Sequence, residues 1–291
     1  MTLQEIQSSP NMLPLYAKAA VGGLLPGGTS GRELPQRKSV RRGITVDREQ
    51  LAAYDEVCGF RLGNELPATY PHVLAFGQQI ALMTESDFPF PLLGMVHIAN
   101  RITQRRPITL DESFDMWVRT ENLRDHEKGK QFDVVSELVP TGGAGEEPVW
   151  TDVSTYLRRG GGSGSGKKDE LAPPEPTTIW RVPGDIGRRY AEVSGDRNPI
   201  HLHPLTARAF GFPSAIAHGM WSKAHALAAF EGDLPSAFTI DVRFKLPVLL
   251  PAKAAFTTWR TGEAAAGSEW AFELWNARKP KPHLDGTITA L

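Results

Sequence analysis

The run Tyr190-Ala191-Glu192-Val193-Ser194-Gly195-Asp196-Arg197-Asn198-Pro199-Ile200-His201-Leu202-His203 decides the reading of this 291-residue chain. A Gly-Asp pair followed by Asn-Pro cannot continue a helix, because the residue before a proline is pushed towards extended geometry. The segment 196–201 is therefore predicted to be a turn whose polar side chains converge. An acid and an imidazole five residues apart on one turn reach a single small ligand, such as a water. Histidine, with an unperturbed pKa of ~6.5, is matched to proton transfer near neutrality. The same residues also allow a plain structural turn, with Asp196 capping backbone amides and His201 merely buried. On the residues alone the two readings stand level.

Around this turn the chain has ordinary soluble composition, 41% hydrophobic and 22% charged. That supplies a sizeable core without a metal or disulfide staple. With 32 basic and 33 acidic residues the net charge is -1, so no global field draws nucleic acid or an anionic membrane. Neither is expected as a partner. A lone cysteine, Cys58, excludes an internal disulfide framework and CxxC sites. The uncharged stretch 66–84 contains Pro67, Pro71, His72, Gly77, Gln78 and Gln79, and a bilayer span needs ~20 predominantly apolar residues. Glu5, with no basic residue before Lys18, argues against a secretory signal, and a cytoplasmic location is expected.

A Gly/Ser run, Gly160-Gly161-Gly162-Ser163-Gly164-Ser165-Gly166, flanked by Arg158-Arg159 and Lys167-Lys168, buries nothing and reads as a linker. It predicts an N-terminal domain over 1–159, a linker over 160–171 and a C-terminal domain over 172–291. The halves look related. Tyr54-Asp55-Glu56-Val57-Cys58-Gly59 matches Tyr190-Ala191-Glu192-Val193-Ser194-Gly195. In the same order, Ala75-Phe76-Gly77 pairs with Ala209-Phe210-Gly211, Gly94-Met95 with Gly219-Met220, Pro107 with Pro247, and the strand 129–137 with 267–275. An internal duplication is the reading. Met220, Trp221, Ala224, Leu227, Ala228 and Glu231 follow helical spacing; Trp270, Phe272 and Leu274 alternate with Ala271, Glu273 and Trp275 as in a strand. The stretches 237–248, 252–260 and 286–291 look extended. In the first half Phe114, Met116 and Val118 alternate, as do Val149, Thr151, Val153, Thr155 and Leu157. One long helix and four or five antiparallel strands per half predict an α+β fold.

Tyr190, Ser194-Gly195-Asp196, Asn198-Pro199-Ile200-His201 and then Ala207 resemble the signature of the MaoC-like dehydratases, also called (R)-specific enoyl-CoA hydratases or hydratase 2. Gly211-Phe212 and Ile216-Ala217-His218-Gly219-Met220 resemble that family's approach to its central helix. The resemblance implies a hot-dog fold, an antiparallel sheet wrapping a long helix, and a double hot dog for a chain of this size. It implies that Asp196 and His201 are catalytic and hold one water against the double bond of a trans-2-enoyl thioester. His201 would take a proton from that water; Asp196 would position it and manage the proton reaching the α-carbon. The reverse reaction dehydrates a (3R)-3-hydroxyacyl thioester. Ser194, Asn198, His218 and Gly219 are expected to bind substrate, with amides near Gly219 at a helix start facing the thioester oxygen. No cofactor or metal is implied. The carrier is coenzyme A or the phosphopantetheine of an acyl carrier protein, with coenzyme A preferred, and a homodimer is possible.

The first half departs from the signature: Phe60 stands where Asp196 stands, and no Asn-Pro-x-His follows. It is expected to be catalytically silent, with Gly94-Met95-Val96-His97 starting a helix. Phe60, Phe88 and Phe90 are candidates to line room for the acyl chain, against a plain core role. His201-x-His203, with Asp196 or His218, also spells a zinc site. Cys58 aligns with Ser194 and is expected to be a buried small residue rather than a nucleophile, and His225 a packed or surface histidine. The basic run Arg32, Arg37, Lys38, Arg41 and Arg42 offers phosphate contacts but reads better as a solvated loop. Arg197, Lys223, Arg243 and Lys245 are closer candidates for a phosphate-binding rim. A thioesterase and a non-catalytic acyl-thioester-binding subunit are the alternatives to a hydro-lyase.

Overall fold

A computed structural model describes residues 2–10, 12, 14–16, 33–143, 145, 147–160, 172–261 and 269–291. The first half contributes strands β1 (Thr2–Glu5), β2 (Arg37–Ile44), β3 (Met95–Gln104), β4 (Phe114–His126), β5 (Gly129–Pro140) and β6 (Trp150–Arg159). The second contributes β7 (Thr178–Val182), β8 (Phe238–Phe244), β9 (Ala252–Arg260), β10 (Trp270–Asn276) and β11 (Pro282–Ala290). They form one 11-stranded sheet ordered β1-β2-β4-β5-β6-β3-β8-β11-β10-β9-β7. All neighbours are antiparallel except the parallel edge pair β1–β2. The halves meet where β3 pairs with β8, Ile102 opposite Ile240. From that seam outward, β3-β6-β5-β4-β2 on one side repeats as β8-β11-β10-β9-β7 on the other.

Each half-sheet wraps a helix. In the first half this is α2 (Tyr70–Met83), preceded by α1 (Arg48–Cys58). The uncharged stretch 66–84 is thus the central helix, apolar nearly all round because it is buried nearly all round. Its two buried amides are anchored through their NH2 groups: Gln78 donates to Ser39 Oγ and the Met116 carbonyl, and Gln79 to Ser136 Oγ. In the second half α3 (Ile186–Ser194) leads to the short helices α4 (Pro199–Leu202) and α5 (Pro204–Ala209), then to the central helix α6 (Gly219–Ala228). This is the double hot dog, with the two sheets continuous rather than separate.

The duplication holds at some of the matched positions and fails at others. Gly59 and Gly195 both close their helices in the left-handed region, at φ 88° and 75°. Pro107 and Pro247 both follow the seam strands, and β5 and β10 occupy equivalent places in the sheet. However, Ala75-Phe76-Gly77 lies inside α2 whereas Ala209-Phe210-Gly211 closes α5, and Gly94-Met95 opens β3 rather than a helix. The second half interposes α4 and α5 before its central helix, which shifts the true register there. Met95, Val96 and His97 become strand because β6 pairs with them, and from Ala99 onward β8 holds the other edge of β3 as well. Tertiary pairing overrides the local glycine signal.

The alternation in β6 also settles differently from the pattern. The more buried set is Trp150, Asp152, Ser154 and Tyr156, not the set containing Thr151 and Val153. A carboxylate goes inside because it is fully partnered. His72 Nδ1–H donates to Asp152 Oδ2 at 2.5 Å, and the Asn100 amide donates to Asp152 Oδ1. Lys223 of α6, completely buried, then donates to the Asn100 and Ile240 carbonyls and to Asn100 Oδ1. It is therefore a polar bolt between the halves, not part of a phosphate rim. The basic run is likewise no loop: its described members sit in β2, Arg37 with Asp87, Lys38 with Glu137 and Arg42 with Asp115, while Arg41 donates to the Leu74 carbonyl. Arg32 and residues 161–171, most of the expected linker, lie outside the described residues. Among the described residues no helix is long and apolar enough to cross a membrane.

Candidate active site

The turn after α3 is built by its own sequence. Gly195 ends the helix, and the Asp196 amide donates to Ser194 Oγ at 3.2 Å. Asn198 caps α4, its Oδ1 accepting from the Ile200 amide, and Pro199 occupies the first helical position, where a missing N–H costs nothing. The predicted turn over 196–201 is thus a turn followed by one helical turn that carries His201. Two outside contacts lock α4. The Ile216 amide donates to the Ile200 carbonyl, and the His201 Nδ1–H donates to the Ile216 carbonyl at 2.8 Å. Because a carbonyl only accepts, this bond fixes the tautomer and leaves Nε2 with a free lone pair.

Gly187 on α3 sets the depth of this packing. A Cβ at that position would lie 2.1 Å from the His201 carbonyl oxygen, which only glycine permits. Gly187→Ala is expected to displace α4, costing about 1–3 kcal/mol of stability. A 1 Å misplacement of His201 would also lower kcat by up to ~10²-fold. Urea denaturation and steady-state kinetics of that variant check both effects.

His218 completes the cluster. It stands immediately before α6, is 2% exposed, and stacks on His201 with ring centroids 3.6 Å apart and planes 25° apart. Its Nε2–H donates to the Asp196 carbonyl at 3.0 Å. Tyr190 packs against its ring at 4.9 Å, which accounts for the aromatic residue of the motif. The Asp196 carboxylate accepts the Tyr16 hydroxyl at 2.7 Å and the Asn198 amide at 3.2 Å, both on Oδ1. Burial works to raise the Asp196 carboxyl, but His218, His201, Tyr16 and the Asn198 amide together hold it below the usual carboxylate range. Burial pushes His201 down, against the opposing pull of Asp196 and the Ile216 carbonyl. It drives His218 to about 3, helped by His201. The site is an ionised acid beside two neutral imidazoles.

These residues line a cavity of about 400 Å³ that runs between the halves. Asp196, His201, His218, Ser194, Asn198 and Gly219 all face it, so the structure brings every expected site residue to one wall. The hydrogen bonds that Ser194 and Asn198 accept from the Asp196 and Ile200 amides serve the turn itself. Another part of the lining comes from α2: Val73, Phe76, Ile80 and Met83, spaced as one helix face, together with Leu92. Phe60, Phe88 and Phe90 are not on it. Phe60 stacks on Tyr54, and Phe88 and Phe90 pack on Phe132, so all three serve the core. Gly219 and Met220 line the cavity at the start of α6, where amides have no acceptor within the helix. A side chain at Gly219 would also press on the Phe244 ring at 3.1 Å.

Asp196, His201 and His218 each offer a ligand atom within 4.8 Å of the others. Zinc–nitrogen bonds of about 2.0–2.1 Å lie in the plane of each imidazole, and two nearly parallel planes 3.6 Å apart do not converge on one ion. His203 is no partner to His201 either: it is exposed and accepts from the Leu205 amide, capping α5. The residues do not fit a zinc site. Cys58 is buried, its thiol pushed well above the usual range by that burial. His225 is packed between Trp180 and Trp221 and donates to the Cys58 carbonyl. Of the basic candidates, Lys245 lines the cavity, Arg243 is exposed and paired with Asp285, and Arg197 is exposed. Sequence reasoning missed Tyr16, a lone aromatic 180 positions from its partner, and missed His72 and His97, which also line the cavity. Nothing local marks any of them.

Residues 165–273 match the family model described as MaoC like domain. Over 291 residues, 98% of this chain and 100% of the relative, the sequence is 39% identical to 3-hydroxyacyl-thioester dehydratase X of Mycobacterium tuberculosis. The crystal structure of HtdX from that organism superposes with a TM-score of 0.76 at 38% identity, covering 88% of this chain and 100% of that one. A peroxisomal enoyl-CoA hydratase 2 of Arabidopsis thaliana is 25% identical over 239 residues, 75% of this chain and 76% of that protein. Identity along the full length, with the Asp196 and His201 motif intact at the cavity, places this chain in the MaoC-like dehydratase family.

Proposed function

We propose that the protein is a hydro-lyase that reversibly adds water to trans-2-enoyl thioesters, giving (3R)-3-hydroxyacyl thioesters, in fatty-acid metabolism. The observation that carries the reading is the convergence of ionised Asp196 and the free Nε2 of His201 on an apolar cavity. In hydration a water held between Asp196 Oδ2 and His201 Nε2 attacks the β-carbon as Nε2 takes one of its protons. The electron pair of the double bond moves towards the thioester oxygen, where the amides at Gly219 and Met220 meet the developing charge. The imidazolium, stabilised by Asp196, then returns a proton at the α-carbon. Atoms balance as one water added, and no cofactor or metal takes part. The names of the two relatives, a 3-hydroxyacyl-thioester dehydratase and an enoyl-CoA hydratase, fit the two directions of this reaction.

The apolar face of α2 receives the acyl chain, which gives the silent half its role. Ile80→Phe is expected to lower kcat/KM for trans-2-decenoyl-CoA about tenfold relative to crotonyl-CoA, from two methylenes no longer buried at ~0.8 kcal/mol each. Truncating Phe60 should leave that ratio unchanged. Coenzyme A is the proposed carrier, with Lys245 at the cavity, where it is paired with Asp285, as the cation its phosphates would meet. Kinetics with crotonyl-CoA and with the crotonyl carrier protein test this. Faster turnover of the coenzyme A thioester supports it, preference for the carrier protein makes the enzyme an elongation dehydratase, and binding without turnover of either makes it an acyl-thioester-binding subunit.

A further inference from the structure

Asp196 has two oxygens with unequal surroundings. Oδ1 accepts two hydrogen bonds, from the Tyr16 hydroxyl and the Asn198 amide. Oδ2 lies 3.7 Å from His218 Nε2, beyond hydrogen-bond range, and that nitrogen is already donating to the Asp196 carbonyl. Tyr16 reaches the carboxylate from outside the motif, and its segment is seated along the way. The Ile6 amide donates to the Val40 carbonyl, Ser9 and Pro10 pack against Gly77 of α2, and Met12 packs beside Gly195. Three phenols line the cavity, Tyr16, Tyr156 and Tyr190, and among the described residues Tyr16 is the one that hydrogen-bonds Asp196. Burial and the Asp196 charge both push the Tyr16 phenol up, so it stays protonated and donates across the working pH range.

We propose that Tyr16 is a positioning residue for Asp196: by saturating Oδ1 it orients the carboxylate so that Oδ2 is presented to the reacting water. This rests on the reading of Asp196 as the group that holds that water. A hydroxyl donating to an ionised carboxylate favours the charged form, so its removal raises the carboxyl pKa. A phenol that merely filled space would do neither.

Tyr16→Phe removes the hydroxyl and keeps the ring. The expected result is a kcat lowered roughly 10–100-fold, the scale of a hydrogen bond to a charged group, with KM and Tm near wild type. In parallel, the Asp196 carboxyl carbon, identified by its loss in Asp196→Asn, is titrated by carbon-13 NMR in the intact chain and should move to higher pH in Tyr16→Phe. An unmoved titration overturns the proposal whatever the activity does. A kcat within a factor of about two of wild type also overturns it, as does a Tyr16→Ala variant faster than wild type, which would make the side chain a plug. If wild type hydrates no enoyl thioester, the proposed function fails, and the NMR shift alone decides whether Tyr16 positions Asp196.

Discussion

Replacing His201 by alanine is expected to lower kcat for crotonyl-CoA hydration by roughly 10³–10⁴-fold, the upper part of what a positioned general base contributes. Its Nδ1–H is committed to the Ile216 carbonyl, so no other nitrogen of the residue can take over. Nor can His218 substitute, because its Nε2–H is held by the Asp196 carbonyl and burial drives its pKa to about 3, leaving a very weak base. KM should change little, since the imidazole acts on the water rather than on the acyl chain. The same geometry fixes the pH profile. His201 must be neutral to accept a proton, and burial lowers its pKa, so kcat/KM should rise with pH through a limb lying below the ordinary ~6.5. A limb above that value would mean that the buried imidazole is charged at neutrality, contrary to its surroundings.

The second large effect is expected at Asp196. Asp196→Asn keeps the size of the side chain and removes its charge. The imidazolium formed at His201 then loses its counter-charge, and kcat should fall roughly 10²–10³-fold. The cost in stability should be real but small. The partners that hold the carboxyl below its usual range lose the charge they favour, yet the amide oxygen of asparagine can still accept from Tyr16 and the Asn198 amide. A large fall in kcat with a slight fall in Tm therefore separates a catalytic role from a structural turn. A parallel drop in both would return Asp196 to the reading in which it merely caps amides.

The site was legible in the sequence to the extent that its residues are close along the chain. Gly195, Asn198 and Pro199 write their own conformation, so the end of α3, the turn and the meeting of Asp196 with His201 follow from local rules. The strand around Phe272 and Leu274 was equally plain, because large apolar residues recur there at every second position and Phe272 and Leu274 are fully buried. What depends on distant pairing was not legible. Gly94-Met95 looked like a helix start and became the seam strand β3, held on both edges. The central helix α2 hid in an uncharged stretch with two glutamines, since amphipathic spacing vanishes when every face is buried. Asp152 broke the alternation of β6 because His72 of α2 and Asn100 of the neighbouring strand β3 wait for it. Tyr16 carries no signature at all, and only the fold shows where its hydroxyl goes.

The most direct test of the central claim is the fate of crotonyl-CoA with the wild-type chain, followed as loss of the conjugated enoyl absorbance together with the configuration of the alcohol formed. The expected product is (3R)-3-hydroxybutyryl-CoA, with its formation abolished by Asp196→Asn and His201→Ala together. Hydration that persists undiminished in that double variant, or formation of the (3S) alcohol, would contradict it.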